Sequence, residues 1–177
     1  MDQYTGRYIL SRASSEEAPA FYGLMRSVYR EMPDKDLFAV GDIELSWMQT
    51  ALTPPGFGIS ARTESGELAG MLVVLLPESW DHSLANAAGL DPDILPCTAE
   101  MDMSCVAPQH RGQGLQRRML TFAETLLPET TRYLLCTVSP HNPASLKSVL
   151  ALGYRVAVTR KMYGGFLRHI LIKQLQC

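Results

Sequence analysis

Three groups of side chains in this 177-residue sequence have types and spacings that could do chemistry. The first is the run Gln109, His110, Arg111, Gly112, Gln113, Gly114 and Leu115, with Arg117 and Arg118 close behind. Two glycines leave room for an anion to approach the backbone. The opening N–H groups of a following helix have no intrahelical partner, and the helix dipole adds partial positive charge there. Such a loop can hold phosphate. The basic crowding is local, because the chain as a whole carries a formal net charge of −2. The plainer reading is a glycine-punctuated loop before a solvated basic helix face. A dinucleotide fingerprint fails because its third glycine position is Arg117, and no GxxxxGK[ST] loop occurs.

The second group is acidic. Over Ala99–Val106 a strand would point Ala99, Met101, Met103 and Cys105 one way and Glu100, Asp102 and Ser104 the other. A solvated strand face would explain that alternation. Yet this strand runs directly into the glycine loop and follows the most apolar strand of the chain. Its acids, Glu100 and Asp102, are therefore expected to line a cleft. The third group opens a helix: Asn142 reads as its N-cap, Pro143 as its first residue and Gly153 as its stop. Ser145 lies in the first turn, and Leu146, Val149 and Leu150 form the apolar stripe.

The elements that must position these groups follow from periodicity. Tyr8–Arg12 reads as a strand. Ser14 and Glu17 have capping-box spacing before a helix whose buried face is Phe21, Leu24, Met25 and Val28. Asp42 is expected to cap a short helix, Ile43–Leu52. Phe57–Thr63 and Leu68–Leu76 read as a hairpin around Glu64, Ser65 and Gly66. Residues 78–97 lack periodicity. Strand Ala99–Val106, helix Gly114–Leu127, strand Arg132–Ser139 and helix Pro143–Leu152 follow. Arg155–Lys161 and Phe166–Gln174 close the chain as an antiparallel pair. This pattern alone implies a mixed α/β domain.

Bulk properties fit that reading. The length suits one domain, and 46% hydrophobic with 19% charged residues is an ordinary globular balance. Cys97, Cys105, Cys136 and Cys177 form no CxxC pair, so reduced thiols in a cytoplasmic protein are expected. Met1–Arg7 has no signal-peptide core. The longest apolar run, Leu68–Leu76, is too short for a membrane span. The charge balance does not invite nucleic acid.

Gln109, Gly112 and Gly114, with Arg111 before the first glycine, resemble motif A of the GNAT superfamily of N-acetyltransferases, Q/R-x-x-G-x-G/A. The family's later helix, N-x-x-A/S-x-x-x-Y-x-x-x-G-F/Y, is matched by Asn142, Ser145, Gly153 and Tyr154, with Val149 where a tyrosine is usual. The two motifs and their strands cover roughly the last 80 residues. The resemblance implies an α/β (α+β) three-layer fold over residues 1–177, with a mixed, mostly antiparallel sheet flanked by helices. It implies acetyl-CoA as cosubstrate, no metal, and acetyl transfer to a primary amine by direct attack in a ternary complex. The backbone of Ser104, Cys105 and Val106 would then pair with the pantetheine arm. The amides of Arg111, Gly112, Gln113, Gly114 and Leu115 would cradle the pyrophosphate beside Gln109, and Asn142 and Ser145 would contact the cofactor further out. Glu100 resembles the family's base in type and position, with Asp102 in reserve. The acceptor would be a small-molecule or peptide amine shaped by residues 25–56 and 78–97, with no nucleic-acid or membrane partner. A homodimer is left open. The alternative is a CoA-binding regulatory domain or pseudoenzyme, which Val149 favours and the two acids disfavour.

The reaction sets energetic demands. Neutralising an amine with a pKa of about 10.4 costs roughly 4–5 kcal/mol at pH 7. Expelling a thiolate with a pKa of about 8.5 costs only about 2 kcal/mol, so the base is worth more than the acid. Tyr154 and Tyr163 are the nearest substitutes for the missing tyrosine. Cys105 or Cys136 as nucleophile lacks a histidine partner, and Asp81, His82, Asp91 and Asp93 form no complete metal-ligand set. Residues 78–97 are instead expected to form a partly ordered flap on the acceptor side, offering Asp81, Asp91 or Asp93 to an ammonium group.

Overall fold

The computed structural model describes residues 3, 4 and 6–175. Part of the Met1–Arg7 segment and Cys177 lie outside these described residues. In chain order the elements are β1 (Gln3–Tyr4), β2 (Tyr8–Ala13), α1 (Ala18–Glu31), α2 (Leu45–Ala51), β3 (Phe57–Thr63), β4 (Leu68–Leu75) and α3 (Leu84–Ala87). They continue with β5 (Thr98–Val106), α4 (Leu115–Glu124), β6 (Tyr133–Val138), α5 (Pro143–Leu150), β7 (Arg155–Met162) and β8 (Phe166–Gln174). One sheet runs in the order β1-β2-β3-β4-β5-β6-β8-β7. Every neighbouring pair is antiparallel except β5 and β6, which the α4 crossover makes parallel.

Both sheet faces are covered, which is why β4 is apolar along its whole length. On one face α4 packs Leu115, Met119 and Phe122 against Leu72, Val74, Ala99, Met101 and Leu134. On the other, Phe21 and Met25 of α1 and Met48 of α2 pack against Met71, Val73, Met103 and Cys105. Further along that face, Leu84 and Ala85 of α3 pack on Leu135, Ile170 and Ile172. The fold is the expected three-layer arrangement.

Several local expectations are corrected. The Ser14–Glu17 capping box does not form: Ser14 makes no side-chain cap bond, and Glu17 instead takes the Arg62 guanidinium at 2.6 Å. Asp42 lies in a turn, and α2 begins only after Glu44. Helix α4 ends at Glu124 rather than Leu127. Most consequential, the alternation in β5 breaks at Asp102. Val73 opposes Met103 and Val74 opposes Met101, so Asp102 is an extra residue with no β4 partner. A bulge of one residue exchanges the faces beyond it. Glu100 therefore shares a face with Met103 and Cys105, whereas Ser104 lies opposite Leu72 on the α4 side.

Candidate active site

The sheet opens between β5 and β6. Their parallel pairing spans only Thr98–Glu100 against Tyr133–Leu135. Beyond Glu100, β5 stays on β4 while β6 follows β8, so Met101 and residues 103–106 have a ladder partner on one side only. A cleft of about 1160 Å³ passes through this opening and reaches both faces of the sheet. Gln116, Asn142, Ser145 and Val149 line it on the α4–α5 side. Leu84, Glu100 and the β7–β8 hairpin line it on the other.

The glycine loop stands at the α4 end of this opening. Gly112 and Gly114 have φ of 76° and 69°, left-handed values that favour glycine, and a Cβ on Gly112 would meet nothing within 4 Å. The first bond of α4 runs from Arg118 N to the Gly114 carbonyl at 3.1 Å, so the N–H groups ahead of it have no intrahelical acceptor. The loop is anchored from behind. The phenol oxygen of Tyr8 lies 3.0 Å from His110 Nδ1 and donates to Gln113 Oε1 at 2.9 Å. Gln109 Nε2 donates to Glu67 Oε1 at 2.8 Å, and His110 Nε2 faces the same oxygen at 3.3 Å. Gln109, Gln113 and His110 thus spend their side chains on the scaffold. Leu115 is buried, and Arg111 Nε donates back to the Val106 carbonyl at 3.3 Å. The loop can offer an anion its backbone, and Arg117 lies over Gly114.

Of the expected cofactor contacts, Ser104, Asn142 and Ser145 line the cleft, while Cys105, Val106, Gln109 and residues 111–115 do not. Ser104 Oγ is buried with no hydrogen-bond partner, an acceptor and donor left for a ligand. Asn142 caps α5 by accepting Ser145 N at 3.1 Å, and Ser145 Oγ accepts from Gln116 Nε2 at 3.1 Å. Gln116 was not singled out by sequence; its solvated helix face carried no signal.

The acids converge. Glu100 is 5% exposed, and its Oε1 accepts the Leu84 backbone N–H at 2.6 Å. Burial raises its pKa to about 7; the Leu84 N–H opposes that shift and the nearby Asp102 adds to it. Burial likewise raises Asp102 to about 6. Two carboxyl groups titrating near neutrality beside one cleft suit proton abstraction. By contrast, burial pushes Cys136 up to about 12, and burial pushes Cys105 higher still against Arg111. Neither thiol is a ready nucleophile.

Residues 78–97 are ordered. Ser83 caps α3, and Trp80, Leu90 and Ile94 pack with Leu84 over Leu135, Ile170 and Ile172. Asp81 lines the cleft, but Asp91 and Asp93 do not, and Asp91 is occupied with the Asp93 N–H at 2.9 Å. Tyr154 is buried outside the cleft lining, its hydroxyl without a partner. Tyr163 lines the cleft, and its hydroxyl meets Thr137 Oγ1 at 3.2 Å. Although 46% of the residue is exposed, desolvation of the hydroxyl at the cleft, then Asp102 and Glu100, raise it to about 12 against the Thr137 bond. Val149 is fully packed. Among the described residues no group of three His, Cys, Asp or Glu side chains is placed to hold a metal, and no helix is long and apolar enough to cross a membrane.

The family model for the acetyltransferase (GNAT) family matches residues 19–154. No protein among the curated sequences matches the chain. Among solved structures, the Salmonella typhimurium protein yncA, determined with acetyl-CoA, is 16% identical with a TM-score of 0.68, covering 97% of this chain and 95% of its own. Arabidopsis thaliana NAA60, in complex with a bisubstrate analogue, is 13% identical with a TM-score of 0.68 over 96% of this chain and 99% of its own. The ribosomal-protein-S18-alanine N-acetyltransferase of Escherichia coli is 16% identical with a TM-score of 0.68 over 96% and 95%. At these identities the likeness is one of fold.

Proposed function

This chain belongs to the acetyltransferase (GNAT) family, and from that premise we propose that it transfers the acetyl group of acetyl-CoA to a primary amine by direct attack in a ternary complex. The observation that carries this reading is the meeting of Glu100 with the end of the β5–β6 pairing, where a buried carboxyl of pKa about 7 faces an opening through the sheet. The one-sided backbone of Ser104, Cys105 and Val106 suits an extended, amide-bearing pantetheine, which can bond as an added strand does. The amides of residues 111–115 suit the pyrophosphate, with Asn142 and Ser145 further along the cofactor.

An acceptor amine enters as ammonium. Glu100, about half ionised at neutral pH, takes its proton directly or through a water, with Asp102 in reserve. The freed lone pair attacks the thioester carbonyl and the C–N bond forms; as the C–S bond breaks, the nitrogen gives up its second proton to solvent or to the departing sulfur, and CoA leaves as thiolate or thiol. Tyr163 is a poor proton donor to it: a phenol near 12 lies above a thiol of about 8.5, so full transfer runs uphill. Hydrogen bonding and solvent suffice. A peptide amine is one acceptor class, by analogy with the Escherichia coli ribosomal-protein-S18-alanine N-acetyltransferase, and a cleft of about 1160 Å³ has room for a small amine as well.

The test is acetyl-CoA turnover against a panel of small amines and peptides, read by release of free thiol. Thiol release that depends on the amine, with the N-acetyl product found by mass, supports the enzyme. CoA binding without turnover on any amine would favour the CoA-binding regulatory module that Val149 suggests.

A further inference from the structure

Resting on that reading of the cleft, we propose that the acceptor carries a carboxylate several bonds from its amine, and that Arg168 recognises it. Arg168 stands on β8 directly across from Arg160 on β7, and both line the acceptor side of the cleft with Lys161. Like charges facing each other across strands repel. Arg160 is partly answered, since its Nη1 donates to the Ala87 carbonyl at 2.8 Å. Arg168 is not. It is 3% exposed, its Nη1 donates only to the carbonyl of the adjacent Leu167 at 2.7 Å, and its Nη2 is buried without a hydrogen-bond partner. A buried charged donor left unmade is costly.

Nearby acids do not complete it. Burial pulls the guanidinium pKa down while Tyr163, Asp36 and Asp34 oppose that shift, so the two aspartates lie within electrostatic range. Neither pairs with it, and Asp34 spends its carboxylate on the Asp36 N–H at 2.9 Å. Arg62 with Glu17, His110 with Glu67 and Lys173 with Glu124 are ion pairs, and none of them involves Arg168. The guanidinium lies 5.3 Å from the Phe166 ring centroid, within cation–π range. A planar, oriented donor fork suits a carboxylate.

Sheet register sets the span. Glu100 aligns with Leu135 and Leu135 with Ile172, while Arg168 lies four residues along β8 on the same face. Two strand spacings and four residue rises separate the Glu100 and Arg168 Cα atoms by about 16 Å. Both side chains reach inward and shorten that gap. An acceptor bridging the two needs several bonds between amine and carboxylate, as in an ω-amino acid or a short peptide with a free carboxyl end.

The experiment compares kcat/KM for 6-aminohexanoate, 6-aminohexanamide and 6-aminohexyl phosphate in wild type, Arg168→Gln and Arg168→Lys. The carboxylate should exceed the amide by about tenfold or more in wild type. Arg168→Gln should erase that ratio by lowering the carboxylate value alone, with KM for acetyl-CoA unchanged. Arg168→Lys keeps the charge without the fork and should retain only part of the ratio, which tests the idea even if the glutamine variant misfolds. A wild-type ratio near one, or a ratio that survives both substitutions, overturns the proposal. A phosphate that outruns the carboxylate overturns the choice of carboxylate. If no amine turns over, the transferase reading fails separately, and calorimetry of the same amines with CoA present reads the site directly: equal affinity for acid and amide would overturn it, whereas tighter binding of the acid that Arg168→Gln abolishes would support it.

Discussion

The backbone N–H of Leu84 donates to Oε1 of Glu100 at 2.6 Å, so the excursion between β4 and β5 holds the candidate base by a single hydrogen bond. Leu84 is the first residue of α3, a position where proline is tolerated, and Ser83 before it has extended φ and ψ of −83° and 151°. Leu84→Pro therefore removes this donor with little backbone conflict. The lost bond favoured the carboxylate, so the pKa of Glu100 should rise further. The acidic limb of the kcat/KM profile should move up by about one pH unit relative to Leu84→Ala, which shares the packing loss but keeps the N–H. Coincident limbs in the two variants would detach Leu84 from the base.

Glu100→Gln keeps the shape and the acceptor for Leu84 but removes the proton acceptor. Turnover should fall by roughly 100-fold to 10,000-fold at neutral pH and recover partly as pH approaches the amine pKa. Asp102→Asn should cost less. A wild-type profile for Glu100→Gln beside an impaired Asp102→Asn would transfer the role to the bulge residue.

The same substitution should stabilise the protein at alkaline pH. The folded pKa of Glu100, about 7, lies above its ordinary 4.5, so this group's contribution to stability is fully present below about 4.5 and is lost as pH rises through 7. Glutamine escapes that loss, of order 3 kcal/mol at most. Thermal melts should show a higher Tm for Glu100→Gln at about pH 8.5 and no gain at about pH 4.5. An equal difference at both would mean that ionisation is not the cause.

Gly112→Val introduces a branched side chain at φ 76° in the loop proposed to offer its amides to the pyrophosphate. Calorimetric affinity for CoA should weaken by about 100-fold, or roughly 3 kcal/mol. Unchanged affinity in a folded variant would move the anion elsewhere.

Tyr8→Phe deletes the hydroxyl that meets both His110 and Gln113 behind the same loop. It should cost about 1–3 kcal/mol of stability and weaken CoA binding several-fold while leaving acceptor KM unchanged. A stability loss with CoA affinity intact would make Tyr8 a packing residue only.

What the sequence determined by itself was local. The left-handed glycines, the helix start behind them and the Asn142 cap are set by residues within a few positions of one another, so their spacing sufficed to read a glycine loop at a helix start, a capped helix and the family. Strand and helix order followed from periodicity in the same way. What tertiary structure decided depends on partners far along the chain. The face exchange at Asp102 exists only against the register of β4, and strict alternation therefore misassigned Ser104. Tyr8 and His110 are 102 positions apart. The choice of Tyr163 over Tyr154 as the cleft residue rests on where the β7–β8 hairpin turns back. Flanking residues carry no trace of such contacts, because pairing across a sheet is fixed by which strands neighbour one another and not by local propensity.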